Sequence, residues 1–160
     1  MSNNPFEDHG VKYLSPNSIN KFKQNPAKWL TNIAGYTDRL FIPAFTNGIA
    51  IEAGITHAVT SGASIAESTD KAMEEFHNIR EEAKDKGFAY DLDACNKKQL
   101  RAPDILANVI PKYREFGVPI ATQKWVEWQW TDLPIPVRGI IDLEYEDCVR
   151  DLKTTSVKPK

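Results

Sequence analysis

Ile140-Ile141-Asp142-Leu143-Glu144-Tyr145-Glu146-Asp147-Cys148-Val149-Arg150-Asp151-Leu152-Lys153 is the stretch on which the reading of this chain turns. Two short apolar-rich runs, Gly139 to Tyr145 and Cys148 to Thr154, flank Glu146-Asp147, the layout of a β-hairpin with a two-residue loop. Such a loop fixes the register: Tyr145 opposite Cys148, Glu144 opposite Val149, Leu143 opposite Arg150 and Asp142 opposite Asp151. The two carboxylates then stand roughly 5 Å apart at Cβ. Like charges so placed repel, and Ile140, Ile141, Leu143 and Val149 draw the site partly out of water. A divalent cation resolves the conflict, because Mg2+ or Mn2+ takes hard oxygen ligands and holds both acids ionised. Side chains alternate along a strand, which puts Lys153 on the face of Asp151. The alternative is a solvated hairpin whose charges meet only water, since Glu-Asp is not a favoured turn pair and the register can slip.

Upstream of the hairpin, Gln123 to Trp130 alternates as a strand, with Trp125 and Glu127 on one side and Val126, Trp128 and Trp130 on the other. The tryptophans are expected to cover a core or an edge. Pro134 and Pro136 bound the intervening loop. Before this strand the chain reads as helices. Residues Met1 to Leu14 lack periodicity and read as a loop or arm. Ser15-Pro16 and Asn25-Pro26 are each a cap followed by proline at the first helical position; they start helices that end near Gln24 and at Gly35. A third helix runs from Pro43 to about Ser61, with Phe45, Ile51, Ile55 and Ala58 or Val59 inward and Gly62 as its stop. Gly48, Ala50, Ala53 and Gly54 within it allow another backbone to approach closely. Ser64 and Glu67 form a capping box for a long amphipathic helix carrying Ile65, Ala72, Met73, Phe76, Ile79 and Ala83 as far as Gly87. Phe88 to Asn96 reads as loop. Ile105, Leu106, Val109, Ile110 and Tyr113 mark a further helix, kinked or interrupted at Pro111.

The 160 residues suffice for one domain with a modest core, at ordinary apolar and charged fractions. No apolar run reaches the length of a membrane span, and the first residues lack the pattern of a signal peptide, so a cytoplasmic location and no membrane partner are expected. Cys95 and Cys148 are too few for a zinc or iron–sulfur framework and are expected as thiols. A net charge of −2 argues against gripping nucleic acid by bulk electrostatics. Local basic groups could still line an approach: Lys21, Lys23 and Lys28, then Lys97, Lys98 and Arg101, then Lys158 and Lys160. Each set reads more readily as a solvated face.

Gly139-Ile-Ile-Asp142 followed by Asp151-Leu-Lys153 resembles the GxxD and (D/E)-x-K motifs of the PD-(D/E)XK nuclease superfamily, in its RecB-like exonuclease branch. Leu14-Ser-Pro-Asn-Ser-Ile-Asn-Lys-Phe-Lys-Gln-Asn-Pro-Ala-Lys-Trp29 is similar to the opening segment of that branch. Asn25 stands where iron–sulfur members carry cysteine, so the resemblance implies a member without a cluster. Gly48-Ile-Ala-Ile-Glu-Ala-Gly-Ile-Thr-His57 resembles the family's first motif, and its metal-ligand histidine falls on Glu52. His57 lies one residue past the usual acidic position, here Thr56. Five residues apart, Glu52 and His57 are about 140° apart around a helix and cannot both face one ion squarely; Glu52 is the stronger ligand and His57 the weaker. Glu127 loosely matches the acid that family members carry on the preceding strand.

The resemblance implies a restriction-endonuclease-like α/β core, a short mixed sheet with flanking helices behind a mainly helical N-terminal part. It implies Asp142, Asp151 and Lys153 as catalytic residues, and Glu52, Asp142, Asp151 and the Leu152 carbonyl as ligands to Mg2+ or Mn2+. DNA is the implied substrate, cut from an end, with a recombination or replication protein as an implied partner. It also breaks off after the lysine, where family members continue with a helix and further strands, so a domain lacking its C-terminal part is expected. Two rivals stand beside this reading: a non-catalytic nuclease-fold module that binds nucleic acid or protein, and a helical interaction protein in which the hairpin acids are incidental.

Overall fold

Proline and small polar caps set where the helices begin. The computed structural model describes residues 5–36 and 40–153, so Thr154, Lys158 and Lys160 lie outside the described residues. Helix α1 is a single turn, Pro5–Asp8, where the sequence pointed to loop. Helices α2 (Pro16–Gln24) and α3 (Pro26–Ile33) begin where the cap-plus-proline pairs predict. Ser15 Oγ accepts the Ser18 N–H at 3.0 Å, and Asn25 Oδ1 accepts the Lys28 N–H at 3.0 Å. Helix α4 (Pro43–Ser61) stops at Gly62, whose φ of 72° is left-handed and open to glycine without strain. Helix α5 (Ile65–Asp85) starts with both halves of its capping box made: Ser64 Oγ accepts from Glu67 N–H, and the Glu67 carboxylate accepts from Ser64 N–H.

Two helical expectations are corrected. The segment from Phe88 to Asn96 is not all loop, because Asp91 accepts the Ala94 N–H at 3.0 Å and caps helix α6, Leu92–Gln99. Cys95, with no exposed surface, is its buried anchor. Helix α7 (Ala102–Arg114) is not interrupted at Pro111. That proline removes one N–H late in the helix, and the chain continues helical for three more residues.

Strands β1 (Ala121–Trp128), β2 (Val137–Glu144) and β3 (Val149–Arg150) form a small three-stranded antiparallel sheet in the order β1-β2-β3. The sheet is antiparallel, not mixed. Among the described residues, parallel pairing is limited to single bridges, Leu14 to Val137 and Leu40 to Ala89. The hairpin register is the one the two-residue loop dictates, Leu143 opposite Arg150 and Glu144 opposite Val149, closed by Tyr145 N–H donating to the Cys148 carbonyl at 2.8 Å. The second strand is shorter than its sequence suggested, ending at Arg150.

The chain gathers into two compact units. One comprises residues 40–122 and 142–153. Its core is Phe76, Ile51, Leu106, Ile110 and Leu143, each fully buried and each worth roughly 1.5–3 kcal/mol of apolar burial. Phe45 does not join them; it is 69 % exposed. Thr46 and Asn47, the next two residues of α4, are buried in its place, so the apolar period misassigns that position. Around the hairpin, the Arg150 guanidinium lies 3.3 Å from the Phe116 ring centroid, and Phe116 packs edge-on to Tyr145.

The other unit comprises residues 5–36 and Gln123–Ile141. Leu14 and Ile135 are its buried apolar side chains, and Leu14 is tied by its N–H to the Pro136 carbonyl and by its carbonyl to the Arg138 N–H. Phe22 and Trp29 meet edge to face at 5.2 Å, and the Trp29 indole N–H donates to Ser18 Oγ at 2.7 Å. Trp125, Trp128 and Trp130 are open to solvent and do not serve as core cover.

Gly54 gives the helical core its sharpest test. A β-carbon there would lie 2.7 Å from the Ser68 carbonyl oxygen on α5, 3.1 Å from Leu106 Cδ2 and 3.2 Å from Ala72 Cβ. Alanine gains about 1 kcal/mol of helix propensity over glycine, but overpacking against a backbone atom costs about 1–3 kcal/mol. Gly54→Ala is therefore expected to lower the urea midpoint with an unchanged m-value. A variant as stable as the parent would show that α4 and α5 are not in this contact.

Candidate functional site

The hairpin's last bond is made by a side chain. Past Arg150 the ladder stops, and the Leu152 N–H donates to Asp142 Oδ2 at 2.6 Å. This turns Leu152 inward, where it is buried, and brings Asp151 and Lys153 to the carboxyl of Asp142. Lys153 Nζ is 2.6 Å from Asp151 Oδ1. Lys153 thus meets Asp151 in irregular backbone past the end of the strand, where the sequence predicted strand alternation.

Asp142 and Asp151 carboxyls lie within hydrogen-bonding reach of each other, and the environment drives them apart. Burial raises the Asp142 pKa above the usual carboxylate value; the Leu152 amide opposes this and the Asp151 charge adds to it. The Lys153 ammonium lowers Asp151, and Asp151 in turn raises Lys153. The two acids are thus pushed in opposite directions, Asp142 up and Asp151 down. Lys153 also feels the negative charge of Glu52.

Glu52, on α4, lines with Gly48, Leu152 and Lys153 a cavity of about 250 Å³ whose other walls include Ile105, Val109 and Tyr113 of α7. A second hollow of about 230 Å³ shares Gly48, Glu52, Leu152 and Lys153 and is bounded by Phe45. The structure thus brings Glu52, Asp142, Asp151, Leu152 and Lys153 to one region. His57 is not among them. It sits in the last turns of α4, with Ser61 Oγ 3.4 Å from its Nδ1. Lys97 and Lys98 close α6, and Arg101 precedes α7.

Tyr113 and Phe45 border the cavities, whereas the sequence places them only on the apolar faces of their helices. Tyr113 falls on the apolar stripe of its helix, where nothing separates a cavity-lining phenol from a core one. Burial raises its pKa, Arg150 opposes this, and Asp151 and Asp142 add to it. Phe45 carries only the negative signal of a large apolar side chain next to a proline-started turn.

Among the described residues, no three His, Cys, Asp or Glu side chains close on a single point. The donor set nonetheless fits a hard cation. Two carboxyls share one place, one of them desolvated, with the Leu152 carbonyl next in sequence and only oxygen donors on offer. Mg2+ needs no more than one or two carboxylates, since it keeps several of its waters.

The stability linkage of Asp142 has a definite sign. Its folded pKa is raised, so stability falls as pH rises from the unfolded carboxylate value through the folded one, and the loss persists at neutral pH. Asp151 behaves oppositely: its contribution is present above the unfolded value and is lost as pH falls through the depressed folded one. Asp142→Asn, which keeps an oxygen for the Leu152 amide, is expected to raise the urea midpoint at pH 7, corresponding to a gain in unfolding free energy on the order of 1 kcal/mol. The gain should vanish near pH 3. A variant less stable than the parent at pH 7 would mean that the amide bond to the charged acid outweighs its burial.

No protein-family model, no curated protein and no solved structure matches this chain. The arrangement of its acids and lysine stands by itself as the ground for a function.

Proposed function

We propose that the chain is a metal-dependent deoxyribonuclease of the RecB-like PD-(D/E)XK type, built on a restriction-endonuclease-like core and cutting linear DNA from an end, as recombination, repair or phage DNA processing requires. The observation that carries this reading is the cluster of Asp142, Asp151 and Lys153 beside a cavity walled by Glu52. In-line cleavage of a phosphodiester needs an activated water, charge neutralisation at the phosphate and support for the leaving oxygen.

Asp142 and Asp151 would hold Mg2+ or Mn2+, with the Leu152 carbonyl beside them and Glu52 as the further acid. When bound, the ion supplies Lewis acidity and lowers the pKa of its water. Lys153 stays protonated and offers its ammonium to a phosphate oxygen; Asp151 holds that ammonium in place. Leu152, Ile105 and Val109 keep the cavity floor apolar, which strengthens every charge interaction above it. Among the described residues no helix is long and apolar enough to cross a membrane.

The test is degradation of end-labelled linear DNA with Mg2+ or Mn2+, alongside a metal titration. Asp151→Ala and Lys153→Ala are each expected to slow cleavage about a hundredfold or more, with metal binding weakened in the first and kept in the second. Metal binding without cleavage would turn the reading to a non-catalytic nuclease-fold module. No metal binding would end the site hypothesis and favour a helical interaction protein.

A further inference from the structure

Between Asp8 and Asp38 the chain carries Lys12, Lys21, Lys23 and Lys28 and no acidic residue. Helices α2 and α3 occupy the middle of that stretch. In the angle between them lies a hollow of about 340 Å³ walled by Lys21 and Gln24 of α2, Asn25 at the junction, and Lys28, Trp29 and Asn32 of α3. Lys21 and Gln24 are at i, i+3 and Lys28 and Asn32 at i, i+4, so each pair shares one side of its helix. All these side chains open on one space, and among the described residues no carboxylate lines it.

The packing of the two helices holds the hollow in shape. The Trp29 indole N–H donates to Ser18 Oγ at 2.7 Å and the Trp29 ring meets Phe22 edge to face, which fastens α3 to α2. Groups on helices so fixed need little reordering when a ligand arrives.

The polar groups of the walls are uncommitted. Among the described residues neither Lys21 nor Lys28 has an ion-pair partner. Asn25 uses its Oδ1 to accept the Lys28 N–H, which leaves its Nδ2 hydrogens as donors. Lys28 is also the third residue of α3, where the positive end of a helix disfavours a cation, and the first turn of α3 holds no acid to offset it. Helix stability therefore does not account for a lysine at this position.

Charge selects the occupant. Pockets for small molecules are mainly apolar, whereas two open ammonium groups and free amide donors suit phosphate oxygens. The cations come from both helices, so a strand laid across the angle meets one from each. We infer that the hollow between α2 and α3 holds the phosphate backbone of DNA, with Lys21 and Lys28 as its cations. The choice of DNA among nucleic acids rests on the nuclease reading; the charge of the hollow does not.

The experiment measures binding of a fluorescein-labelled DNA duplex to the full chain by anisotropy, in EDTA so that no cleavage intervenes, across a series of KCl concentrations. Lys21→Ala and Lys28→Ala are each expected to weaken binding at low salt and to reduce the slope of log K against log salt by about 0.9, the share of one phosphate contact. Lys28→Arg should keep the slope. Lys23→Ala should leave it unchanged, because Lys23 is exposed yet does not line the hollow. No binding of the duplex overturns the inference, as do slopes unchanged in both alanine variants. A loss in Lys23→Ala as large as in the other two also overturns it and reduces the hollow to diffuse attraction. Sedimentation of the chain with phosphatidylglycerol vesicles, without binding of the duplex, overturns it and assigns the hollow to a membrane surface. Metal-dependent cleavage by the unsubstituted chain with the slopes of both variants unchanged removes the hollow and leaves the nuclease. Slope losses with no cleavage do the reverse.

Discussion

The absence of a side chain at residue 54 governs how the helical unit packs. Helix α4 approaches α5 closely enough that the Ser68 carbonyl occupies the space a β-carbon would take, and Leu106 of α7 and Ala72 of α5 close around the same point. Ile51 and Ile55 flank that contact and are buried by it. Because Glu52 is one residue beyond Ile51 on the same helix, the rotation that buries the isoleucine also brings the carboxylate to the edge of the cavity. The acidic residue is placed by the packing of its apolar neighbours.

Much of this was legible in the chain because it is local. A two-residue loop dictates which residues of a hairpin face each other, so Leu143 opposite Arg150 followed from counting. Ser15, Asn25 and Ser64 announce helix starts through bonds no more than three residues long, and Gly62 announces a stop. What the sequence could not show depends on distant partners or on local backbone exceptions. Nothing in an apolar period says that Phe45 points away from the core or that Tyr113 borders a cavity. The strand carrying the tryptophans begins earlier than its alternation suggests, and it includes Gln123 at a φ of 49°, a left-handed conformation that breaks the two-residue period. Helix α6 went unseen because its apolar content is slight and only Cys95 anchors it.

The region of the hairpin is a place where stability is given up. Besides the desolvated Asp142, three buried polar atoms among the described residues have no hydrogen-bond partner there: Thr56 Oγ1, Tyr145 Oη and Arg150 Nε. Each such atom costs about 1–3 kcal/mol relative to a satisfied one. Two of the three belong to the hairpin. Arg150 recovers part of its cost by lying on Phe116, and Leu143 beside it is fully buried. A protein selected for stability alone would not concentrate unsatisfied groups and opposed acids in so few residues, which is the pattern expected of a functional site.

The cavity has walls from opposite ends of the chain: Glu52 arrives early, Tyr113 later and Lys153 last. Helices α4 and α5 are neighbours in sequence and can close on each other through a short loop, whereas joining Glu52 to Lys153 requires the closure of about a hundred residues at a correspondingly larger entropic cost. A growing polypeptide can bring Gly54 against Ser68 while the segment bearing Asp151 is still unmade, whereas the charged pocket needs Lys153 and cannot be complete before that segment joins it.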